Sequence, residues 1–326
     1  GTRHLLTDPR VKVLVPSMGD IGSRLFAAGL RYAGVNAESL SPASEQEVMI
    51  GRGVASCKEC LPFMVVSGSI FNDIPHRNKE NLLVYFIADS SGPCRFGQYH
   101  ISIQNVIKKK RIENVAIMML TSDNGYAGLG ARFQLRAWQS IIITEVLTEI
   151  YSALLVLAQD RSYAMRVFEQ VVGRLADAVA TQSWKELKRS LAKAAREFAA
   201  IPLAGKIDDV PVVSVVGEIF VRLDGFSRQY LVERLADKGI VAKVAPVTEF
   251  VYYCDFLLQK AVYHLRPTLS EKMLSVLKGW FKRYHEREIK KLLAASGLYH
   301  FRMVDVEKVT ENIQHLISRK FTAGDT

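Results

Sequence analysis

The sequence predicts a mixed α/β protein whose strands form parallel sheets. Short apolar runs recur along the chain, and most of them are followed by a polar or glycine-containing loop and then by a helical pattern. Strands that alternate with helices in this way pair in parallel through crossover connections. The chain has 326 residues, which is enough for two buried cores.

The first α/β unit is predicted from four strands, at residues 11–16, 36–40, 82–86 and 115–120. A helix is predicted over residues 23–33, and Gly34 is its stop signal. The third and fourth strands are almost continuously apolar, which indicates burial on both faces of the sheet.

The middle of the chain changes to a helical period between residues 131 and 200, where glycine and proline are rare. Ser183 and Glu186 have the spacing of a capping box at the start of one of these helices. A second α/β unit follows, with strands at 210–216 and 240–245, a helix at 229–238 and a last helix at 306–319. We therefore predict a first domain over residues 1–130, a helical bridge over 131–205 and a second domain over 206–326.

The composition favours a folded protein with anionic partners. The formal net charge is +10, from 43 Lys+Arg and 33 Asp+Glu, but the basic residues are dispersed along the chain. No nucleic-acid-binding signature accompanies them, so we expect no nucleic acid as a partner. The polar residues 1–10 do not resemble a secretory signal, and we expect a cytoplasmic protein that does not enter the membrane. A start at Gly1 without Met suggests either a processed chain or a piece of a longer protein.

The four cysteines are Cys57, Cys60, Cys94 and Cys254, which are too few for a disulfide scaffold in a chain of this length. Cys57 and Cys60 form a C-x-x-C motif. A redox dithiol needs a strand directly before it, and a zinc site needs a second close pair; the sequence predicts neither. An iron–sulfur site accepts scattered cysteines, and four unrelated thiols are the remaining alternative.

Cys94 lies just after the third predicted strand, between two glycines. Ligand sites in parallel sheets gather outside the carboxyl ends of the strands. Arg95 would offset the negative charge of a thiolate-bound cluster. Cys60 precedes Pro62, a residue favoured in a first helical turn, so we expect Cys60 directly before a helix whose amides stabilise a thiolate.

Four segments carry a family resemblance: residues 51–62, which end in ECLP, GPCRFGQY at 92–99, NGYAGLG at 124–130 and VGEIFVR at 216–222. They resemble the activase-associated branch of the 2-hydroxyacyl-CoA dehydratase D-component and benzoyl-CoA reductase superfamily, which is related to double-cubane-cluster proteins. The resemblance covers most of residues 10–260. Its most specific part is the segment 92–99.

The resemblance implies two Rossmann-like or flavodoxin-like parallel-sheet domains with helical additions, and a [4Fe–4S] cluster between them. It implies Cys60, Cys94 and Cys254 as the cluster ligands. Cys254 is expected at the carboxyl edge of a strand, in the exit after Pro246, where it would face the cleft. Cys57 departs from the family pattern and is either a fourth ligand or a spare thiol. A larger, double-cubane cluster in one subunit would need six cysteines.

The resemblance also implies a function. We expect an iron–sulfur electron-transfer or reductase component, which would be part of an oxidoreductase or a lyase. It would receive low-potential electrons from an ATP-hydrolysing activase, either a separate chain or a fused domain. This chain has no GxxxxGK[ST] motif and should not itself be such an ATPase. The alternatives are a non-catalytic iron–sulfur binding or maturation scaffold, and a 2-hydroxyacyl-CoA dehydratase subunit acting on an acyl-CoA or another small molecule. A homo-oligomer is compatible with each of them.

Two further residues, His100 and Glu218, are candidates for a catalytic role. His100 follows Tyr99 on the helix after Cys94 and is either a proton donor or a structural histidine. Glu218 follows the fifth predicted strand and either lines the cleft or caps a helix.

Overall fold

A computed structural model of the chain describes residues 5–56, 58–78, 80–89, 94–120, 128–259, 269–313 and 315–316. Four strands form a parallel sheet in the order β2-β1-β3-β4. They are β1 (Val11–Val15), β2 (Ala37–Ser39), β3 (Leu82–Phe86) and β4 (Val115–Met118). The predicted strands of the first unit are confirmed. β2 lies on one side of β1, and β3 and β4 lie on the other side. The strand order therefore reverses between β1 and β3, which makes this a topological switch point.

Helices cover both faces of this sheet. The described helices of the first unit are α1 (Asp20–Tyr32), α2 (Glu45–Val54), α3 (Leu61–Asp73) and α4 (Tyr99–Lys109). Leu14 and Tyr85 pack with α2, α3 and α4 in one apolar cluster. Val13 and Val15 point to the opposite face and pack with α1. The period-two alternation of β1 therefore explains how one strand serves two apolar layers.

Helices α2 and α3 cross in backbone contact, and glycines make this contact feasible. A Cβ atom at Gly51 would lie 1.8 Å from the carbonyl oxygen of Met64, and one at Gly68 would lie 1.7 Å from that of Glu47. No other residue type fits at either position. This crossing fixes the start of α3, where Cys60 lies.

Three long helices fill the middle of the chain: α5 (Gly130–Leu157), α6 (Arg161–Thr181) and α7 (Trp184–Ala199). The predicted capping box of Ser183 and Glu186 is confirmed at the start of α7. By length and composition, α5 is the one described helix apolar enough to cross a membrane. It packs against α1, α6 and α7 in the largest apolar core, which accounts for its composition.

The two strands predicted for the second α/β unit are confirmed. Within the described residues they form a two-stranded parallel sheet, β5 (Val212–Val215) and β6 (Val241–Val244), which has fewer strands than a flavodoxin-like sheet. The described helices of this unit are α8 (Ile219–Leu223), α9 (Leu231–Ala236), α10 (Val247–Gln259), α11 (Leu269–Ala294) and α12 (Val306–Ile313).

The predicted domain boundaries are not visible in the packing. The largest core contains Leu25, Phe168 and Leu293, one residue from each of the three predicted segments. The structure is thus a mixed α/β protein with a four-stranded parallel sheet, and its division into two domains stays a prediction.

Candidate functional site

Cys60 is the residue immediately before α3, and Pro62 lies in the first turn of that helix. The predicted helix start is therefore confirmed. The loop before Cys60 is ordered by Glu59, whose carboxylate accepts hydrogen bonds from the backbone and hydroxyl of Ser56, both at 2.8 Å. These bonds lower the pKa of Glu59. The loop thus presents the Cys60 thiol beside the free amides at the start of α3.

Cys94 has a similar position at the start of a second helical segment. It immediately precedes a 3₁₀ turn, Arg95–Gln98, that continues directly into α4. The guanidinium of Arg95 donates a hydrogen bond to the carbonyl of Lys58. This bond ties the Cys94 loop to the Cys60 loop. Both thiols are free and exposed.

Tyr99 connects the two cysteines. Its hydroxyl oxygen lies 2.5 Å from the Sγ atom of Cys60. Burial raises the pKa of Tyr99, as do the hydrogen bond to Cys60 and the negative charges of Cys60, Cys94 and Glu218. The phenol therefore keeps its proton at neutral pH and donates a hydrogen bond to the sulfur when Cys60 is a thiolate. Tyr99 belongs to the GPCRFGQY segment, but the sequence did not predict a role for its hydroxyl.

The second unit covers this site through α8. The carboxylate of Glu218 accepts a hydrogen bond of 2.8 Å from the amide of Val221 and so caps α8. Phe220, the second residue of α8, packs in the same apolar cluster as Phe63 and Tyr99. Glu218 thus serves as a helix cap and also contributes negative charge near Tyr99, whereas its role in catalysis stays a prediction.

His100 faces a carboxylate that the sequence analysis missed. Its Nδ1 atom lies 3.9 Å from Oδ1 of Asp89, which follows β3. Both atoms are buried and have no hydrogen-bond partner among the described residues, and the same holds for the hydroxyl of Ser17, which follows β1. Next to them a small apolar cavity of about 10 Å³, lined by Ala88 and Tyr99 among others, has room for about one water molecule. The cavity itself is lined by apolar side chains, and Ser17, Asp89 and His100 do not line it.

Cys254 does not lie in a strand exit, as the sequence analysis expected, but in the third turn of α10. The helix begins directly after Pro246, so its rise carries Cys254 about 10 Å away from the end of β6. Burial and the charge of Asp255 raise the pKa of this thiol, and Lys282 of α11 lowers it. Its charged neighbours thus come from α10 and α11.

The structure places the predicted ligand Cys60 in contact with Tyr99, and the predicted ligand Cys94 near enough for its charge to raise the pKa of Tyr99. Cys57 lies outside the described residues, as do Gly92, Pro93 and the segment 124–127. In the part of the chain that the structure describes, no three His, Cys, Asp or Glu side chains are grouped closely enough to hold a metal ion. The thiolate chemistry of Cys60 and Cys94 suits an iron–sulfur cluster, and at least one more ligand must complete the set.

Comparison of the chain with family models, with curated proteins and with solved structures gives no match.

Proposed function

We propose that the protein is an iron–sulfur electron-transfer or reductase component, and that Cys60 and Cys94 are two ligands of its [4Fe–4S]-type cluster. The observation that supports this most is that two free thiols each lie directly before a helical segment; one contacts the hydroxyl of Tyr99, and the charge of the other raises the pKa of the same phenol. Helix amides and a phenol donor stabilise thiolates, and the thiolate is the form that binds iron. Hydrogen bonds to sulfur also tune the potential of such clusters.

The third ligand is Cys254 in this proposal, because the family resemblance implies it. Its place in α10, beside Asp255 and Lys282, requires α10 to approach the Cys60–Cys94 site when the cluster binds. Cys57 is the alternative, since it is only three residues from Cys60 along the chain. The two alternatives differ in which thiol becomes protected when iron is bound.

The electron source in this proposal is an ATP-hydrolysing activase, either a separate chain or a fused domain. The net charge of +10 supports rapid encounter with an acidic partner, because opposite charges steer association. The residues of this chain would hold the cluster and exclude bulk water from it, with Phe220 and Phe63 forming the apolar side of the site.

Iron and sulfide quantitation tests the proposal. The protein is purified without oxygen, as wild type and as four single variants, Cys57→Ser, Cys60→Ser, Cys94→Ser and Cys254→Ser. We expect the wild type to bind iron and sulfide, and Cys60→Ser and Cys94→Ser to lose most of both. The Cys57→Ser and Cys254→Ser variants are matched controls for each other. The variant that removes the third ligand should lose iron as Cys60→Ser does, and the other should keep it. Full iron content in a Cys60→Ser, Cys94→Ser double variant would overturn the proposal.

Reduction of the bound cluster separates electron transfer from its alternatives. The loaded protein is mixed with a cognate activase and ATP, with and without an acyl-CoA, and followed by electron paramagnetic resonance. Reduction that depends on ATP supports an electron-transfer or reductase component. A cluster that binds but is never reduced points to a scaffold, and turnover of a 2-hydroxyacyl-CoA points to a dehydratase subunit.

A further inference from the structure

One side of α11 exposes four large apolar side chains, which we call the α11 face. The four are Leu277, Trp280, Phe281 and Tyr284. Trp280 and Phe281 come three and four residues after Leu277, and Tyr284 comes four and three residues after them, so all four lie on one side of the helix. They are exposed by 54%, 61%, 47% and 38%, respectively. Single exposed apolar residues are ordinary, but a contiguous group of this kind marks an interaction site.

The α11 face is held rigidly by the opposite side of the same helix. Ile289 and Leu293 are buried in the largest core, so α11 cannot rotate to hide its aromatic side chains. Trp280 stacks on Tyr284 with ring centroids 5.9 Å apart. Tyr284 in turn contacts the ring of His285, which is buried. The aromatic rings are therefore pre-ordered before any partner binds, which lowers the entropic cost of binding.

The same side of α11 carries two cationic side chains further along the helix. Arg287 and Lys291 lie seven and eleven residues after Trp280, on the same side, and both are exposed. Neither forms an ion pair within the described residues. The carboxylates of this part of α11 are occupied, because Glu286 pairs with Lys290 at 2.6 Å and Glu288 pairs with Lys188 at 3.3 Å. Apolar groups and unpaired positive charge thus follow one another along the helix axis.

We propose that the α11 face docks an amphipathic segment of a partner protein, whose apolar side chains cover Leu277 to Tyr284 and whose carboxylates pair with Arg287 and Lys291. Trp and Tyr are the residues that most often dominate binding energy at protein interfaces. The inference does not depend on the iron–sulfur proposal, because α11 would bind its partner whether or not a cluster is present.

Charge separates this partner from two other occupants. A second copy of α11 would bring the same two cations close to Arg287 and Lys291. In the described part of α11, Glu286 and Glu288 are already paired, so they are not available to neutralise these cations. A helix that lies on a membrane carries its cations opposite its apolar side. Here Arg287 and Lys291 instead lie beyond the apolar residues on the same side of the helix. An acidic, apolar protein segment fits this arrangement best.

Binding of two designed peptides tests the proposal on the full chain. The probe is a fluorescein-labelled helical peptide with Leu and Phe on one side and two Glu residues at one end; its matched control has Lys in place of Glu. We expect the Glu peptide to bind at least about tenfold more tightly than the Lys peptide in fluorescence anisotropy. A Trp280→Ala, Phe281→Ala variant should weaken binding by at least about tenfold. An Arg287→Glu, Lys291→Glu variant should reverse the preference.

A control substitution and three outcomes complete the test. Tyr163→Ala removes an exposed aromatic side chain from α6 and should leave binding unchanged. Far-UV circular dichroism verifies that each variant keeps its helices. Equal affinity for the two peptides would overturn the proposal. A wild-type dimer in sedimentation that the Trp280→Ala, Phe281→Ala variant converts to a monomer would also overturn it. So would binding to phosphatidylserine vesicles that is lost in the same variant, if neither peptide binds.

Discussion

The hydroxyl of Tyr99 lies 2.5 Å from the sulfur of Cys60, which joins the first residue of α4 to the residue before α3. Tyr99 is also five residues after Cys94, at the point where the 3₁₀ turn Arg95–Gln98 continues into α4. One phenol therefore connects the two loops that carry the exposed thiols. The proposed function depends on this connection.

Tyr99→Phe removes the hydroxyl and keeps the ring. The fold should be retained, because the edge contacts of the ring with Phe63 and Phe96 do not involve the oxygen. Loss of the hydrogen bond costs about 1 kcal/mol and removes a donor that stabilises the thiolate, which is the form of Cys60 that reacts. We expect slower alkylation of Cys60 at neutral pH in a mass-spectrometric time course, with Cys254 unchanged as the internal control. Identical rates at Cys60 in wild type and variant would contradict the bond.

Gly51→Ala and Gly53→Ala form a matched pair on α2. A Cβ at Gly51 would collide with the carbonyl of Met64, whereas nothing lies within 4 Å of a Cβ at Gly53. Alanine favours a helix over glycine by about 1 kcal/mol, so Gly53→Ala should leave the protein equally or more stable. Gly51→Ala should lower the free energy of unfolding by about 1–3 kcal/mol, measured by urea titration. Equal effects of the two substitutions would contradict the close crossing of α2 and α3.

Glu145 of α5 should make stability depend on pH. Burial raises its pKa from 4.5 to about 7, although Thr248 donates two hydrogen bonds to the carboxylate; Lys290 opposes the rise and Glu286 adds to it. The folded protein thus binds this proton more tightly than the unfolded chain does. The contribution of Glu145 to stability is therefore fully present below about pH 4.5 and is lost as the pH rises to about 7.

Glu145→Gln tests this sign. The variant cannot ionise, so its free energy of unfolding should fall less than that of the wild type between pH 5 and pH 8, by about 1–3 kcal/mol. Chemical denaturation at several pH values measures the difference. Parallel pH profiles of the two proteins would show that Glu145 is not the group responsible.

The strands of the first sheet were predictable because apolar runs and their exit loops are local signals. The start of α3 was predictable for the same reason, since Pro62 marks a first helical turn. Helix α2 was not predicted, because Gly51 and Gly53 lower its helical propensity, and only its contact with α3 explains why Gly51 is there. The helix of Cys254 was also missed: its aromatic and β-branched residues favour an extended chain, and packing against the core overrides that preference.

The partners within the site lay beyond sequence reasoning. Asp89 and His100 are eleven residues apart, and Cys60 and Tyr99 are thirty-nine apart. What brings them together is the side-by-side pairing of β1 and β3 and the way α3 and α4 share one face of the sheet. The sequence could identify Cys60 and Cys94 as candidates, but the contact between Cys60 and the hydroxyl of Tyr99 follows from the packing of the helices.

Protection of individual cysteines by iron tests the central claim most directly. The protein is reconstituted with iron and sulfide without oxygen, alkylated, and compared by mass spectrometry with a sample that received neither. The account predicts that Cys60 and Cys94 are protected together in the reconstituted sample, along with whichever of Cys57 and Cys254 is the further ligand. Equal alkylation of Cys60 and Cys94 with and without iron would contradict it.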